Sequence, residues 1–480
     1  MLLISIFLPL AGGACLPLFR FSNRRKRSLY VGLVTLVTSI LLWLQILCGE
    51  NEAVTLLRMT DTLSIVFQMD RLSCVFVGLI SFLWPLAVLY AHEYMAHEAR
   101  ENAFFAWYTI SYGVTLCIAC ARNYFTIYVF YELLTLVTMP LVLHKRDANS
   151  VHAARQYLYY SITGAALGFI GLIFMMTYGS VDFAPGGSLK PEAITGIEGL
   201  IRLVFLFAFV GFGTKAALFP MHVWLPMASV APTPVTALLH AVAVVKAGAF
   251  AVIRILYFAF GADLLAGTRA QTIVLLLSSF TIVYGSVMAV REQHLKRRLA
   301  YSTISNLSYI LMGAALMTEA GLTGALTHLL FHALMKITLF YCTGAILVQT
   351  GREYVQDMRG LARIMPYTCS VFAFASLALI GVPPLLGFAS KWNLATAAID
   401  SGLAAGYVGA CALIVSAILT AVYLMSVLIP MYARPLSAQK EAVRCDPGLS
   451  MKLTLGILCL AMLVMSFSSA AVTEWLRGIL

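Results

Sequence analysis

The sequence predicts an all-α integral membrane protein of about 14 transmembrane helices, and three observations carry that prediction. Of 480 residues, 61% are hydrophobic and only 11% charged, with a mean hydropathy of +0.89. Soluble domains carry about 25% charged residues. Apolar runs of about 20 residues, the length that crosses a hydrocarbon core, recur from one end of the chain to the other. Basic residues outside these runs alternate in density from loop to loop, the pattern that orients membrane helices. In lipid every backbone N–H and C=O needs a partner within the protein, so the runs are read as helices.

Fourteen spans are expected, at residues 2–19, 29–47, 72–90, 104–120, 124–143, 157–178, 203–219, 235–258, 273–290, 300–317, 322–347, 371–397, 404–429 and 453–472, in one membrane domain over 1–480. The first is apolar from Met1 and its basic cluster (Arg20, Arg24, Arg25, Lys26, Arg27) follows rather than leads it, so a cleavable signal peptide is not expected. The third opens on Asp70 and Arg71. The fourth holds Cys117 and Cys120, a lone pair too small for the roughly four ligands of a zinc or iron–sulfur site; no metal and no cofactor is expected in this chain. The fifth carries Glu132, the one carboxylate well inside a span. The sixth has Gly164 and Gly168 at GxxxG spacing, a helix-packing feature.

The seventh and twelfth spans are interrupted. Gly211, Gly213, Pro220, Pro226, Pro232 and Pro234 surround Lys215, and Gly381, Pro383, Pro384 and Gly387 precede Lys391. Two broken helices five spans apart, each with a lysine, suggest a repeat of residues 104–258 in 273–429. An odd number of spans per copy makes the second run inverted, a transporter signature. The tenth span follows Lys296, Arg297 and Arg298, read as an inside anchor. Loops on that side hold most of the basic residues, Lys145, Arg155, Arg291, Arg352, Arg363, Arg434 and Lys440 among them. That side is cytoplasmic by the positive-inside rule, and both termini then face outward. The net charge of +11 is therefore topological and not a nucleic-acid footprint.

Buried charges are where function is sought, since a lysine at the bilayer centre costs roughly 2.5–3.5 kcal/mol. Glu132 near mid-membrane needs a partner, and Lys215 is the natural one. At about 4 Å and an effective dielectric of about 20 the pair is worth roughly 4 kcal/mol. Separating it frees Lys215 to release its proton; a static ion pair that fixes helix packing is the competing reading. Lys246, halfway along the eighth span, is placed to take that proton, and Arg254 lies nearer the end of that helix. His328, His332 and Lys336 stand at i, i+4 and i+8 on one helix face. Imidazole both donates and accepts, so the stripe reads as a relay. A zinc site is disfavoured because no Glu lies inside the HxxxH. Lys391 completes the line, and His222 and His240 flank the first break as relays or as hydrogen-bonding residues.

Several stretches together resemble one family. They are Gly213–Thr214–Lys215 through Trp224–Leu225–Pro226, Ala231–Pro232–Thr233–Pro234–Val235, Leu239–His240–Ala241, Lys296 through Ser305, His328 through Lys336, and Gly381 through Ser390–Lys391. The chain resembles the antiporter-like subunits shared by Mrp-type sodium/proton antiporters, membrane-bound nickel–iron hydrogenases and respiratory complex I. The resemblance implies fourteen helices with two inverted five-helix repeats. It implies a proton-transfer line of Glu132, Lys215, Lys246, His328, His332, Lys336 and Lys391. It also implies a cytoplasmic membrane location in a prokaryote and partners within a larger complex: other membrane subunits, and iron–sulfur, nickel–iron or NADH-oxidising peripheral subunits. Two features depart from the distal member of complex I: the chain ends at Leu480 without a long lateral helix, and Trp392 rather than an acidic residue follows Lys391. Proton movement driven by a partner redox module or ion gradient, with exchange for sodium, is the expected function. An Mrp-type subunit with no redox partner, a structural anchor and a stand-alone transporter are the alternatives.

Overall fold

The computed structural model describes residues 1–19, 21, 23–49, 52–434 and 444–479; Arg20 and Lys440 of the basic loops lie outside them. The chain is a bundle of helices: α1 (Leu2–Cys15), α2 (Arg24–Cys48), α3 (Arg71–Tyr94), α4 (Glu101–Ala119), α5 (Tyr124–Val142), α6 (Ala148–Tyr178), α7 (Glu198–Gly213), α8 (Thr233–Ala241) and α9 (Val244–Ile255). Then follow α10 (Arg269–Arg291), α11 (Leu295–Ala315), α12 (Glu319–Thr350), α13 (Pro366–Ile380), α14 (Leu386–Asp400), α15 (Ala404–Tyr432) and α16 (Leu449–Phe467). Side chains set many of the starts. Asn23, Asp70, Asn123, Asp147, Thr268 and Thr318 each accept a backbone N–H at the first turn of α2, α3, α5, α6, α10 and α12.

A helix or pair of helices underlies each of the fourteen predicted stretches, although α7 stops at Gly213, short of the end of the seventh at residue 219. Among the described residues nine helices are long and apolar enough to cross a membrane, with shorter apolar helices at Leu2–Leu18 and Pro366–Ile380. The protein is a multi-pass membrane protein; length and apolarity alone do not establish fourteen crossings. The loop between α2 and α3, which carries no predicted element, folds into an antiparallel hairpin, β1 (Val54–Arg58) with β2 (Ser64–Phe67), and Phe67 bridges on to Ala121.

Burial ranks the helices. The α8–α9 segment (Thr233–Phe260) is 100% buried over its apolar window and α12 89%, against 33% for α2 and α16. The two central helices are thus the ones bearing Lys246, His328, His332 and Lys336, whereas the buried charge on peripheral α2 is Arg27, in its first turn and paired with Glu101. Helices α13 and α14, with Lys391, pack on α12, and α7 packs on α6 and α9.

Glycine sets how closely α6 and α7 meet. A Cβ on Gly211 would fall 2.6 Å from Gly168 N and 2.7 Å from Gly164 O, and one on Gly164 would fall 2.8 Å from Gly211 O. The GxxxG of α6 is therefore a packing seat for α7, the helix that ends just before Lys215, as expected. Overpacking costs about 1–3 kcal/mol, so Gly211→Val should lower the melting temperature of the purified protein in detergent, measured by tryptophan fluorescence, while Gly32→Ala, with open space around its Cβ, should not.

Candidate proton-transfer site

Helix α7 ends at Gly213, just before Lys215. The carbonyls it frees are not left bare. Tyr131 OH donates to Phe212 O at 2.9 Å, Trp224 Nε1 donates to Thr214 O at 2.9 Å, and Leu218 N donates to Gly213 O at 3.0 Å. Without such partners an irregular backbone at this depth would be lost to lipid. The second break repeats the device with a charge. Gly381 adopts a left-handed conformation that closes α13, and Lys391 Nζ, on α14, donates to Leu379 O at 2.7 Å and Ile380 O at 3.0 Å. A cation thus sits on the carbonyl end of a half-helix, where the helix dipole favours it. Both interruptions contain a cis prolyl bond, Phe219–Pro220 and Pro383–Pro384.

Lys215 is fully buried, and its Nζ lies 3.9 Å from Glu132 Oε1. The ammonium is held more closely by the Tyr131 carbonyl, to which it donates, and by the Tyr131 ring, 3.4 Å from its centroid. Glu132 Oε1 has no hydrogen-bond partner among the described residues, and the side chain keeps 28% of its exposure. The expected pair is therefore present but loose, with the carboxylate at the rim of the bundle. Lys215 is tied to the next helix through its backbone: a Cβ on Gly248 of α9 would lie 2.8 Å from Lys215 C and 2.9 Å from its Cβ.

That helix departs from the sequence reading. The continuous eighth span expected over 235–258 is broken at Val242 and Ala243, one turn before Lys246, and its end, Leu256–Phe260, is a π-turn. No glycine or proline marks the break, so composition gave no sign of it. Ala243 N reaches back five residues to Leu238 O instead of four. His240, fully buried in the last turn of α8, has both ring nitrogens unpartnered among the described residues and rests on the Phe340 ring. His222 Nε2 meets Tyr284 OH at 3.2 Å.

Lys246 Nζ lies 2.8 Å from His332 Nδ1, His332 stacks with His328 at 5.6 Å between ring centres, and His328 Nδ1 meets Ser390 Oγ at 3.0 Å. Ser390 precedes Lys391, so the chain of contacts from Lys246 arrives at the second break. Lys336 does not join it. Although it shares the helix face, its Nζ turns to α11, donating to Ser302 Oγ and to Leu299 O at 3.1 Å. The expected His–His–Lys relay is thus two branches, because the Lys336 stem is long enough to find oxygen acceptors and another cation beside Lys246 would be repelled.

Two of the arginines named from the sequence have partners that it did not give. Arg298, read as an inside anchor, is 2% exposed and donates to Glu292 O, Tyr423 O and Ser426 Oγ at 2.5–2.9 Å. Arg254 is held in a bidentate bridge by Asp70 at 2.5 and 2.7 Å, with Ser73 Oγ at 2.9 Å. Only the rarity of buried charge pointed to a partner; its identity lay 184 positions away.

Comparisons with known proteins bear on the family and the fold. Residues 121–429, more than half of the chain, match the family model described as NADH:quinone oxidoreductase/Mrp antiporter, TM, and residues 58–105 match that of the NADH-ubiquinone oxidoreductase (complex I) chain 5 N-terminus. The chain is 35% identical to NADH-quinone oxidoreductase subunit N of Desulforudis audaxviator over 76% of its own length and 72% of the relative's. It is 34% identical to a probable K(+)/H(+) antiporter subunit of Rhizobium meliloti (71% and 34%) and 34% identical to hydrogenase-4 component B of Escherichia coli (68% and 50%). It spans half or less of those last two. Among solved structures, a chain of the archaeal membrane-bound sulfane sulfur reductase superposes with a TM-score of 0.86 at 19% identity, covering 100% of this chain and 96% of that one. One of the Dietzia Mrp complex gives 0.83 at 20%, with the same coverage. These two show a shared fold.

Removing Asp70 would leave Arg254 buried without its counter-ion, which costs about 3 kcal/mol at the low end for such a break. Asp70→Ala is therefore expected to lower the thermal stability of the detergent-solubilised protein far more than Asp61→Ala on the exposed hairpin turn. Equal melting temperatures would show that the bridge holds nothing together. The chain belongs to the family of antiporter-like membrane subunits shared by NADH:quinone oxidoreductases and Mrp antiporters.

Proposed function

We propose that this chain is a proton-translocating, antiporter-like subunit of a multi-subunit membrane complex, driven by a partner redox module or by an ion gradient. The observation that carries the reading is the placing of five cationic or imidazole side chains, each 0% exposed, on the interrupted and central helices: Lys215, Lys246, His332, His328 and Lys336. Lys391 follows at the second break, capping α13. A packing scaffold has no use for such residues, each of which costs energy in lipid. A proton carrier needs them, with hydrogen-bonded neighbours at 2.8–3.0 Å as in Lys246–His332 and His328–Ser390.

Glu132 and Lys215 form the switch. Its looseness supports this role, since the Lys215 ammonium already donates to Tyr131 O, and the partly exposed Glu132 is open to a neighbouring protein of the complex. A charge or displacement delivered there shifts Lys215 between holding and releasing its proton, and Lys246 and the histidines carry it onward. His222 and His240 are auxiliary groups at the first break. Fourteen crossings with two inverted repeats, 104–258 and 273–429, account for the matching interruptions at Lys215 and Lys391. The location is the cytoplasmic membrane of a prokaryote with both termini outward. Partners are other membrane subunits, with iron–sulfur, nickel–iron or NADH-oxidising subunits where the drive is redox; the relatives named as hydrogenase and quinone oxidoreductase components support that class, and the antiporter relative supports the gradient-driven one.

In everted vesicles holding the assembled complex, Glu132→Gln and Lys215→Ala should each reduce coupled proton movement, followed by a pH-sensitive dye, to background while leaving the amount of assembled complex unchanged. Wild-type rates in both variants would overturn the switch.

A further inference from the structure

The turn of Lys336 away from the histidines opens a question of where it leads, and the polar groups behind it form a second line. Ser302, the acceptor of the Lys336 ammonium, is faced by the Tyr423 hydroxyl of α15. Tyr423 OH donates to Thr420 Oγ1 at 3.3 Å. One turn along the same face of α15 is Ser416, whose Oγ meets Ser286 Oγ of α10 at 2.6 Å, Ser305 Oγ of α11 at 2.9 Å and Tyr309 OH at 2.7 Å. Ser286 and Ser305 close the triangle at 2.9 Å. The Tyr309 ring lies 5.1 Å from that of His328, and Lys391 Nζ stands 5.9 Å from its centre. All of these hydroxyl residues are 0–1% exposed.

We infer that Lys336, Ser302, Tyr423, Thr420, Ser416 and Tyr309, with Ser286 and Ser305, form a hydroxyl-borne proton path from Lys336 to the Lys391 site, parallel to the histidine branch. The inference rests on the proton-translocating reading above. Each hydroxyl is one donor and an acceptor with two lone pairs, so each takes one proton and passes on its own. Once Lys391 has released its own proton, the Lys336 ammonium gives a proton to Ser302 Oγ as the Ser302 hydroxyl turns from Leu299 O to Tyr423, and so on to Ser416; the Tyr309 hydroxyl, which donates to Ser416 at rest, turns to hand its proton to the neutral Lys391 amine and takes one from Ser416. Lys336 is left neutral, Lys391 becomes charged, and no hydroxyl changes its net protonation. The path enters and leaves the serine triangle at Ser416, which Ser286 and Ser305 hold in place; each hydroxyl that has passed a proton ends turned the other way and must turn back before the next passage. Three hydroxyl links are not hydrogen bonds here: Ser302 to Tyr423, because Ser302 Oγ donates to Leu299 O at 3.1 Å; Thr420 to the Ser416 hydroxyl, because Thr420 Oγ1 donates to the Ser416 carbonyl at 2.7 Å; and Tyr309 to Lys391. The path conducts when a rotamer change or a water joins them, which keeps it closed to leakage at rest. Helix packing by hydroxyl pairs, a common use of serine in membranes, explains the triangle alone. It leaves unexplained why the set runs from one buried lysine to the side of another.

The test uses the assembled complex in everted vesicles, with the initial rate of coupled proton movement as readout. Tyr309→Phe and Ser416→Ala should each slow it about tenfold, below the roughly 10²–10⁴ of a full general acid–base group because the histidine branch remains. Ser416→Thr, which restores the hydroxyl, should recover most of the loss. A wild-type rate in either Tyr309→Phe or Ser416→Ala overturns the path, and so does a Ser416→Thr variant as slow as Ser416→Ala, which would mark a packing role. Tyr309→Phe keeps the ring and its contacts, so it reports even if Ser416 variants fail to assemble. Lys215→Ala run alongside separates the two readings: a fast Lys215→Ala refutes proton translocation through this chain, whereas an inactive Lys215→Ala with a fast Tyr309→Phe refutes only the hydroxyl path.

Discussion

A broken helix inside a membrane must find new partners for the carbonyls it releases, and the arrangement of this protein follows from how that demand is met. At the first break the partners are Tyr131, Trp224 and the N–H of Leu218. At the second the partner is Lys391 itself. Irregular backbone at this depth survives only where protein surrounds it, which requires the interruptions to lie against the central helices. The same requirement places the lysines where they can touch the groups carried by α9 and α12.

Close packing then converts these local solutions into a line. Gly248 lets α9 rest on the backbone of Lys215, and Gly211 lets α7 rest on α6. Beyond those seats the polar contacts divide. One branch runs from Lys246 through His332 and His328 to Ser390, and the other leaves Lys336 for Leu299 and Ser302 of α11. At the far end of α9 the Asp70–Arg254 bridge ties the helix that carries Lys246 to the start of α3.

Much of this was legible beforehand. Apolar runs of membrane length located the helices, because a bilayer imposes one thickness on all of them. The expense of burying charge singled out Glu132, Lys215, Lys246, Lys336 and Lys391, and helical spacing aligned His328 with His332. Gly and Pro marked both interruptions at the lysines. The break at Val242 and Ala243 was hidden because no residue there is a helix breaker. The hairpin over 54–67 was hidden because it belongs to a short polar connection.

Which residues carry charge within the membrane, and roughly at what depth, the sequence determined alone, since cost in lipid depends on residue type and position along a span. Which group each charge faces was decided only by the tertiary structure. Lys215 meets Tyr131 as well as Glu132, Lys336 chooses Ser302 over the histidines of its own face, and Arg254 pairs with a residue from another helix. Long side chains reach acceptors on several neighbouring helices, and helix rotation, crossing and glycine contact select among them. Those quantities arise from packing between segments far apart in the chain, which periodicity within one segment does not encode.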